Sequence, residues 1–233
     1  MVCVVLTGCG GGESVAPSGL SARQVRVDWL GHESFLFRSS LGTKILTNPY
    51  ESGTGGRSLP SGLRPDILLV STEKPDANNV DAMDNSPVIF RGAVALGPNN
   101  ATGIRIRGVP TYKIPGKEEV LGMNIVFSWT MDGVRFCFAG TIANPLSASE
   151  MSQIGAVDVL FLPVGIPAGL TDADRQTIIS QLRPRVIIPM GHAGEISGWA
   201  AGFSKVYRVP GSSVLLSREI LPAEQTVVVL APP

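Results

Sequence analysis

The chain is predicted to be an α/β (α+β) protein in which two mixed β-sheets pack face to face with helices outside. Three observations carry this expectation. Segments of alternating polar and apolar residues are short and numerous, which is the pattern of half-buried strands. Glycine (27) and proline (18) are frequent among the 233 residues, as tight turns between such strands require. The strands fall into two blocks, with helical signals confined mainly to the second, and no linker divides them. The folded part is expected to be a single domain over 23–233, long enough to bury a full core.

In the first block, Gln24-Val25-Arg26-Val27-Asp28-Trp29-Leu30 alternates with period two. Ser34-Phe35-Leu36-Phe37-Arg38 and Lys44-Ile45-Leu46-Thr47 follow, joined by a turn at Leu41-Gly42. Tyr50 to Leu63 is rich in Gly and Ser and reads as a loop. Asp66 to Ser71 is a buried strand. Val88-Ile89-Phe90 and Val94-Ala95-Leu96 read as short strands. The second block opens with Ile104-Arg105-Ile106-Arg107-Gly108-Val109. Asn124 to Trp129 and Val134 to Ala139 flank Met131-Asp132-Gly133, a hairpin turn signal. Ser147 to Ile154 reads as a short helix, and Val157 to Leu162 as a buried strand. Thr171 is the expected N-cap of a helix with Asp172 and Asp174 in its first turn, ending near Leu182, before Pro184. Strands are expected at Val186 to Pro189, Val206 to Val209, Val214 to Leu216 and Thr226 to Leu230.

Composition excludes several function classes. Basic and acidic residues both total 19, so the formal net charge is zero, and no basic stripe or RNA-type aromatic motif argues for a nucleic-acid partner. No apolar run reaches the length of a membrane-spanning helix. No Gly-x-Ser-x-Gly elbow is present. There are only two histidines, His32 and His192, which disfavours a dinuclear zinc site. Cys137 lies in the apolar pattern Val134-Arg135-Phe136-Cys137-Phe138-Ala139 and reads as a core residue. Asn100-Ala101-Thr102 fits a glycosylation sequon, a common chance match.

The first 22 residues are expected to lie outside the fold. Leu6-Thr7-Gly8-Cys9 resembles a bacterial lipobox, with Cys9 as the lipidated residue and Gly10 to Ser14 as a flexible tether. A signal peptide needs a basic start and roughly 7–15 apolar residues. Only Met1 to Leu6 precede the box here, without lysine or arginine. The expected location is the bacterial cell envelope through a lipid anchor, the only membrane association foreseen; the alternative is an ordinary N-terminus and a cytoplasmic protein.

The strand Asp66-Ile67-Leu68-Leu69-Val70-Ser71 and the loop Thr72-Glu73-Lys74-Pro75-Asp76-Ala77 resemble a motif of the metallo-β-lactamase superfamily, in particular its lactonase-like (ascorbate-6-phosphate lactonase-like) branch. In that family an Ile-Leu-Val-Ser strand runs into His-x-His-x-Asp-His. The histidine positions fall on Thr72, Lys74 and Ala77, and only Asp76 keeps the family type. Imidazole nitrogens bind zinc at neutral pH; threonine, alanine and a protonated lysine do not replace them. The resemblance spans roughly 24–230 and implies an αββα sandwich.

Four further segments carry it. Gly31-His32-Glu33-Ser34 resembles the Gly-His-x-Ser/Thr turn whose histidine points to the active-site mouth in the lactonase-like branch; the plainer reading is a histidine capping a turn. Thr47-Asn48-Pro49 stands where the family has Thr-Asp-Pro, whose aspartate supports the metal ligands. Asparagine keeps the size without the charge, which fits metal loss. Phe138-Ala139-Gly140-Thr141-Ile142 resembles Ala-Gly-Asp-Thr, but Gly140 runs directly into Thr141 and the metal-bridging aspartate is gone. Ile188-Pro189-Met190-Gly191-His192 resembles Ile-Pro-Met-His with one glycine inserted.

The resemblance thus implies a hydrolase scaffold whose metal-binding motifs are degenerate. The expected function is binding of a small molecule or a protein through the old cleft, lined by Tyr50, Tyr112 and Trp199, without a catalytic metal. The alternative is a metal-dependent hydrolase of lactones, phosphoesters or similar, with zinc or manganese on some of His32, Glu73, Asp76 and His192. A third reading is metal-free acid–base chemistry by His32 with Asp76. Lys74 is expected either to replace the lost positive charge by pairing with Asp76 or to point into solvent.

Overall fold

The computed structural model describes residues 23–112, 122–165, 170–192 and 196–233. Cys9, the remainder of 1–22 and the Gly116–Glu119 turn lie outside the described residues. The strands in chain order are β1 (Val25–Gly31), β2 (Ser34–Arg38), β3 (Lys44–Thr47), β4 (Ile67–Leu69), β5 (Val88–Phe90), β6 (Gly97–Ala101), β7 (Ile104–Tyr112), β8 (Met123–Met131), β9 (Val134–Phe138), β10 (Val159–Pro163), β11 (Val186–Met190), β12 (Val206–Arg208), β13 (Ser213–Leu216) and β14 (Thr226–Val229). One sheet has the order β13-β1-β2-β3-β4-β5 and the other β12-β14-β11-β10-β9-β8-β7-β6. Both mix parallel and antiparallel pairs.

Side-chain alternation decides what each face meets. Val25, Val27, Trp29, Phe35, Phe37, Ile45, Ile67 and Leu69 face inward from the first sheet, and Phe127, Trp129, Phe136, Phe138, Phe161 and Ile188 from the second. Phe37 is the aromatic hub, with edge contacts to Trp129, Phe136 and Phe161 at centroid distances of 5.0, 5.4 and 5.2 Å. The intervening residues Cys137, Leu160, Leu162 and Ile187 face outward onto the helical side. Cys137 is fully buried there, and burial pushes its thiol up to about 12.

Among the described residues, three α-helices cover that side: α1 (Ala148–Ile154), α2 (Asp172–Leu182) and the single turn α3 (Ser197–Ala200). Thr171 caps α2 through a capping box with Asp174, and Ser147 caps α1 with Glu150. The expected sandwich of two mixed sheets is present, and the first sheet's outer face has its own cover. Among the described residues it is covered by loop and 3₁₀ residues, Leu59, Leu63, Val80 and Met83 packing on Leu36, Leu46, Leu68 and Val70. No helix among the described residues is long and apolar enough to cross a membrane.

Most expected elements are present within a residue or two. The β8–β9 turn is a two-residue one, with φ of 49° at Asp132 and 82° at Gly133, as a type I′ hairpin requires. One expected strand is corrected. Val94-Ala95-Leu96 falls on a 3₁₀ turn over Gly92–Ala95, and the strand is the polar Gly97–Ala101. The Asn99 amide donates to the Ala95 carbonyl, which holds the turn. A Cβ on Gly108 would meet that same carbonyl at 2.0 Å, so β7 needs a glycine there.

Asp158, only 4% exposed, accepts from Arg135 Nε at 2.8 Å and from its backbone N–H at 2.9 Å. Burial pushes the carboxyl up; the Arg135 hydrogen bonds, with the charges of Arg135 and Arg218, outweigh it and hold the group below its ordinary 3.8. A depressed carboxyl stabilises the fold above the unfolded-state value and loses that contribution as pH falls through the folded value. Asp158→Asn is therefore expected to cost about 2 kcal/mol at pH 7, the charge-assisted bonds being partly solvent-screened at Arg135. In urea unfolding the deficit should shrink below pH 3.8. A deficit independent of pH would contradict the assignment.

Candidate functional site

Six chain segments end at one edge of the sandwich: the β1–β2 turn, the ends of β3, β4, β9 and β11, and the start of β8. Their polar groups are largely satisfied by one another. Asn48, fully buried with φ of 36°, donates from Nδ2 to Ser71 Oγ at 2.8 Å and to Glu33 Oε2 at 3.0 Å. Its Oδ1 accepts the Ser71 backbone N–H at 2.8 Å. Asparagine tolerates the left-handed backbone better than most residues. Thr47 Oγ1 accepts from the Phe35 backbone N–H and donates to the Glu33 carbonyl.

A second amide serves the other sheet. Asn124 Nδ2 donates to Thr111 Oγ1 and to the Ala139 carbonyl, both at 2.9 Å, and Asn124 Oδ1 accepts the Thr141 backbone N–H at 2.8 Å. The two systems meet at Ser71, whose carbonyl accepts the Ile125 backbone N–H at 2.8 Å across the sheets. Gly140 closes the gap between them. A Cβ there would lie 2.4 Å from Asn124 Oδ1 and 2.5 Å from Ser71 Oγ, and φ is +58°. Asn48, Ser71, Asn124, Thr111 and the Thr141 backbone therefore form a packed, hydrogen-bonded cluster of neutral groups, with Glu33 at its rim.

The metal-loop positions have separated. Thr72 and Ala77 are buried, at 8% and 2% exposure. Glu73, Lys74 and Asp76 are exposed, and no ion pair joins Lys74 to Asp76 among the described residues. Lys74 does not replace the lost charge: the loop turns outward, with the Ala77 N–H donating to the Lys74 carbonyl at 2.9 Å, so both side chains stay hydrated. Glu73 instead takes Arg91, Nε to Oε1 at 3.0 Å. Asp76 therefore joins neither histidine, and the His32–Asp76 acid–base pair does not form.

The two histidines do converge. The Gly191 N–H and Trp29 Nε1 both donate to the His32 carbonyl at 3.0 Å, tying the β1–β2 turn to the end of β11. Both rings line a cleft of about 670 Å³, with Arg57 and Trp199. His32 holds a left-handed backbone (φ 49°), and its Nε2 lies 2.9 Å from the Thr54 carbonyl. His192 is 8% exposed and packs against the Trp29 ring at 4.8 Å. Burial holds the His192 imidazole below its ordinary 6.5, against a hydrogen bond to the Pro189 carbonyl that raises it; Arg208 and Arg57 depress it further. Tyr50 does not line the cleft. It is buried, with its hydroxyl donating to the Leu30 carbonyl at 2.7 Å, and burial pushes its pKa above the ordinary 10.0, keeping the phenol neutral. The Tyr112 side chain lies outside the described residues.

Sequence reasoning missed Glu33, Arg57, Ser71 and Asn124. Glu33 was legible as the neighbour of His32; Asn124 opens an apolar strand, a place where a buried amide needs partners. No group of three or more His, Cys, Asp or Glu among the described residues could hold a metal. The donor set does not fit zinc or manganese: a lysine, a threonine and an alanine stand at imidazole positions, and amides and hydroxyls fill the space. Asn48→Asp, which restores the family's carboxylate type, puts a second acid beside Glu33 in a buried site. It is expected to destabilise by about 3 kcal/mol at neutral pH, with the loss shrinking as the medium is acidified. Added zinc or manganese should not restore stability in thermal melts; full recovery would mean that a metal site persists.

Known proteins agree with this architecture. A superfamily member from Thermotoga maritima has a solved structure that aligns with a TM-score of 0.72 at 24% identity, covering 88% of this chain and 98% of that one. Igni18, a metallo hydrolase from Ignicoccus hospitalis, aligns at 0.58 and 20% identity, covering 83% and 99%. Among sequences, a protein of Archaeoglobus fulgidus named UPF0173 metal-dependent hydrolase is 25% identical over 193 residues, 71% of this chain and 82% of its own length. A protein of the same name from Thermococcus onnurineus is 24% identical over 190 residues, 71% and 84%. Residues 26–191 match the family described as Beta-lactamase superfamily domain, and the chain belongs to that family.

Proposed function

We propose that this chain is a metal-independent member of its superfamily that binds a small molecule in the cleft at the sheet ends. The observation that supports this reading is the contact of Gly140 with Ser71 and Asn124, which leaves no room and no imidazole where the family's ligands would meet. The cleft beside it persists, with His32, His192 and Trp199 on its walls. Sites of this size, part apolar and with few polar groups, suit small organic ligands. Membership of the lactonase-like branch rests on the Gly31-His32-Glu33-Ser34 turn and the Ile188–Met190 strand end. A lipid anchor at Cys9, holding the domain at the cell envelope, belongs to the same proposal.

A metal-dependent hydrolase is the second reading. The names of the Archaeoglobus and Thermococcus relatives favour it directly. Zinc or manganese would then need His32 and His192 with a carboxylate. Asp76 and Glu73 point elsewhere in the described fold, so Glu33 is the acid to test. Fold kinship alone does not decide between the readings, because function resides in the site.

The experiment is a hydrolase assay on lactones and phosphoesters, paired with thermal melts, for protein stripped by chelator and then supplied with zinc or manganese. The proposal expects no metal-dependent turnover and a melting shift within about 1 °C. A metal bound at a hundredfold excess over its Kd stabilises by about 2.7 kcal/mol, which is roughly 5 °C or more for a chain of this size. Such a shift, or turnover that follows the metal, overturns the proposal in favour of the hydrolase.

A further inference from the structure

The described lining of the cleft is one-sided in charge. Among the described residues that line it, none is acidic, while His32, His192 and Arg57 are basic types. Arg57 comes from the loop after β3. Its Nη1 donates to the Pro233 main-chain oxygen at 2.8 Å, and no Asp or Glu side chain pairs with it among the described residues. Arg208, at the end of β12, reaches the rim from the other half of the chain. Its Nη2 donates to Ser197 Oγ at 3.3 Å, and it too has no acidic partner among the described residues. Five arginines elsewhere do have acidic partners: Arg26 and Arg38 with Asp28, Arg91 with Glu73, Arg135 with Asp158, Arg175 with Asp172.

Glu33 is not among the lining residues: its Oε2 accepts from the Asn48 amide, and its Oε1 would lie 3.8 Å from a Cβ on Gly191. Both guanidinium charges reach His192 and favour its neutral form, so the ring offers hydrogen bonds while the arginines supply the charge. The remaining wall is apolar, from Val164, Ile196 and the Trp199 ring. A guanidinium fork matches the oxygens of a carboxylate or phosphate, and an indole face takes a flat apolar body.

We infer that the cleft is an oxyanion-binding site: Arg57 and Arg208 hold the carboxylate or phosphate group of a small organic anion whose planar part lies against Trp199. This rests on the reading of the cleft as a binding site and adds the class of its ligand. Backbone geometry supports a rigid receptor. A Cβ on Gly165 would lie 1.7 Å from the Gly191 carbonyl and one on Gly55 would lie 2.7 Å from His32 Cε1, so the walls close through glycines that no side chain can replace without a shift.

The test is calorimetric titration of the chelator-stripped chain with phenyl phosphate, benzoate and the neutral isostere benzyl alcohol, repeated on Arg57→Gln, Arg208→Gln and Trp199→Ala. Both arginines are partly or fully exposed, and thermal melts check that the variants fold. The expected result is binding of at least one anion, weakened about tenfold by either arginine change and by added salt, with benzyl alcohol weaker and indifferent to both arginines. If benzyl alcohol binds as well as the anions and Trp199→Ala abolishes all binding, the cleft reading stands and the oxyanion inference falls. If none of the three probes binds, both fall together.

Discussion

A polar group removed from water must find a partner, and at the open edge of this sandwich that constraint decides the arrangement of the surrounding chain. Asn48, Ser71, Asn124 and the Thr141 backbone lie where strand ends from both sheets come together. With no imidazole at Thr72, Lys74 or Ala77, a cation would have too few ligands, and an unneutralised aspartate at position 48 would be costly. The amide at Asn48 resolves this by donating and accepting at once, which a carboxylate cannot do. Asn124 plays the same part for the second sheet. Gly140 fits between them because it has no side chain, a Cβ there lying 2.4 Å from Asn124 Oδ1 and 2.5 Å from Ser71 Oγ. The hydrogen bond from Ile125 to the Ser71 carbonyl is the seam on which both sheet ends close.

Above this seam the two histidines keep each other's company. The His32 carbonyl takes the Gly191 N–H, so the turn that carries one ring is registered against the strand end that carries the other. The glycine before His192 belongs to this link, with φ of 69°, and it brings the ring against Trp29. The link leaves a shaped cleft beside it, with His32, His192 and Arg57 on its described walls. The relatives named metal-dependent hydrolases match this chain in sequence over about four-fifths of their own length.

Much of the fold was legible because burial follows period. The alternation in Val25 to Trp29 and in Lys44 to Thr47, and the capping signals at Ser147 and Thr171, report local physics that tertiary packing does not override. The Val94–Leu96 stretch was misread because its apolar run lacks the context that decides it: the turn forms where the Ala95 carbonyl meets Gly108 from a distant strand. The site divides likewise. Residue types at Asn48, Thr72 and Thr141 were legible as departures from the resembled motifs, since chemistry belongs to the side chain. The directions of Lys74, Asp76 and Tyr50 were not legible, because a one-residue change in loop path turns a side chain from the cleft to solvent or to the core. Arg57 and Arg208, far apart in sequence and each unremarkable alone, acquire meaning only when the fold brings them to one rim.

The central claim is that packed neutral groups have taken the place of the metal centre. The most direct test is the metal content of the chain purified without chelator, measured by elemental mass spectrometry before and after equilibration with zinc and manganese. The account predicts less than about a tenth of an equivalent in every case. Near-stoichiometric metal, lost on substitution of His32, Glu33 or His192, would contradict it and make these three residues the ligands.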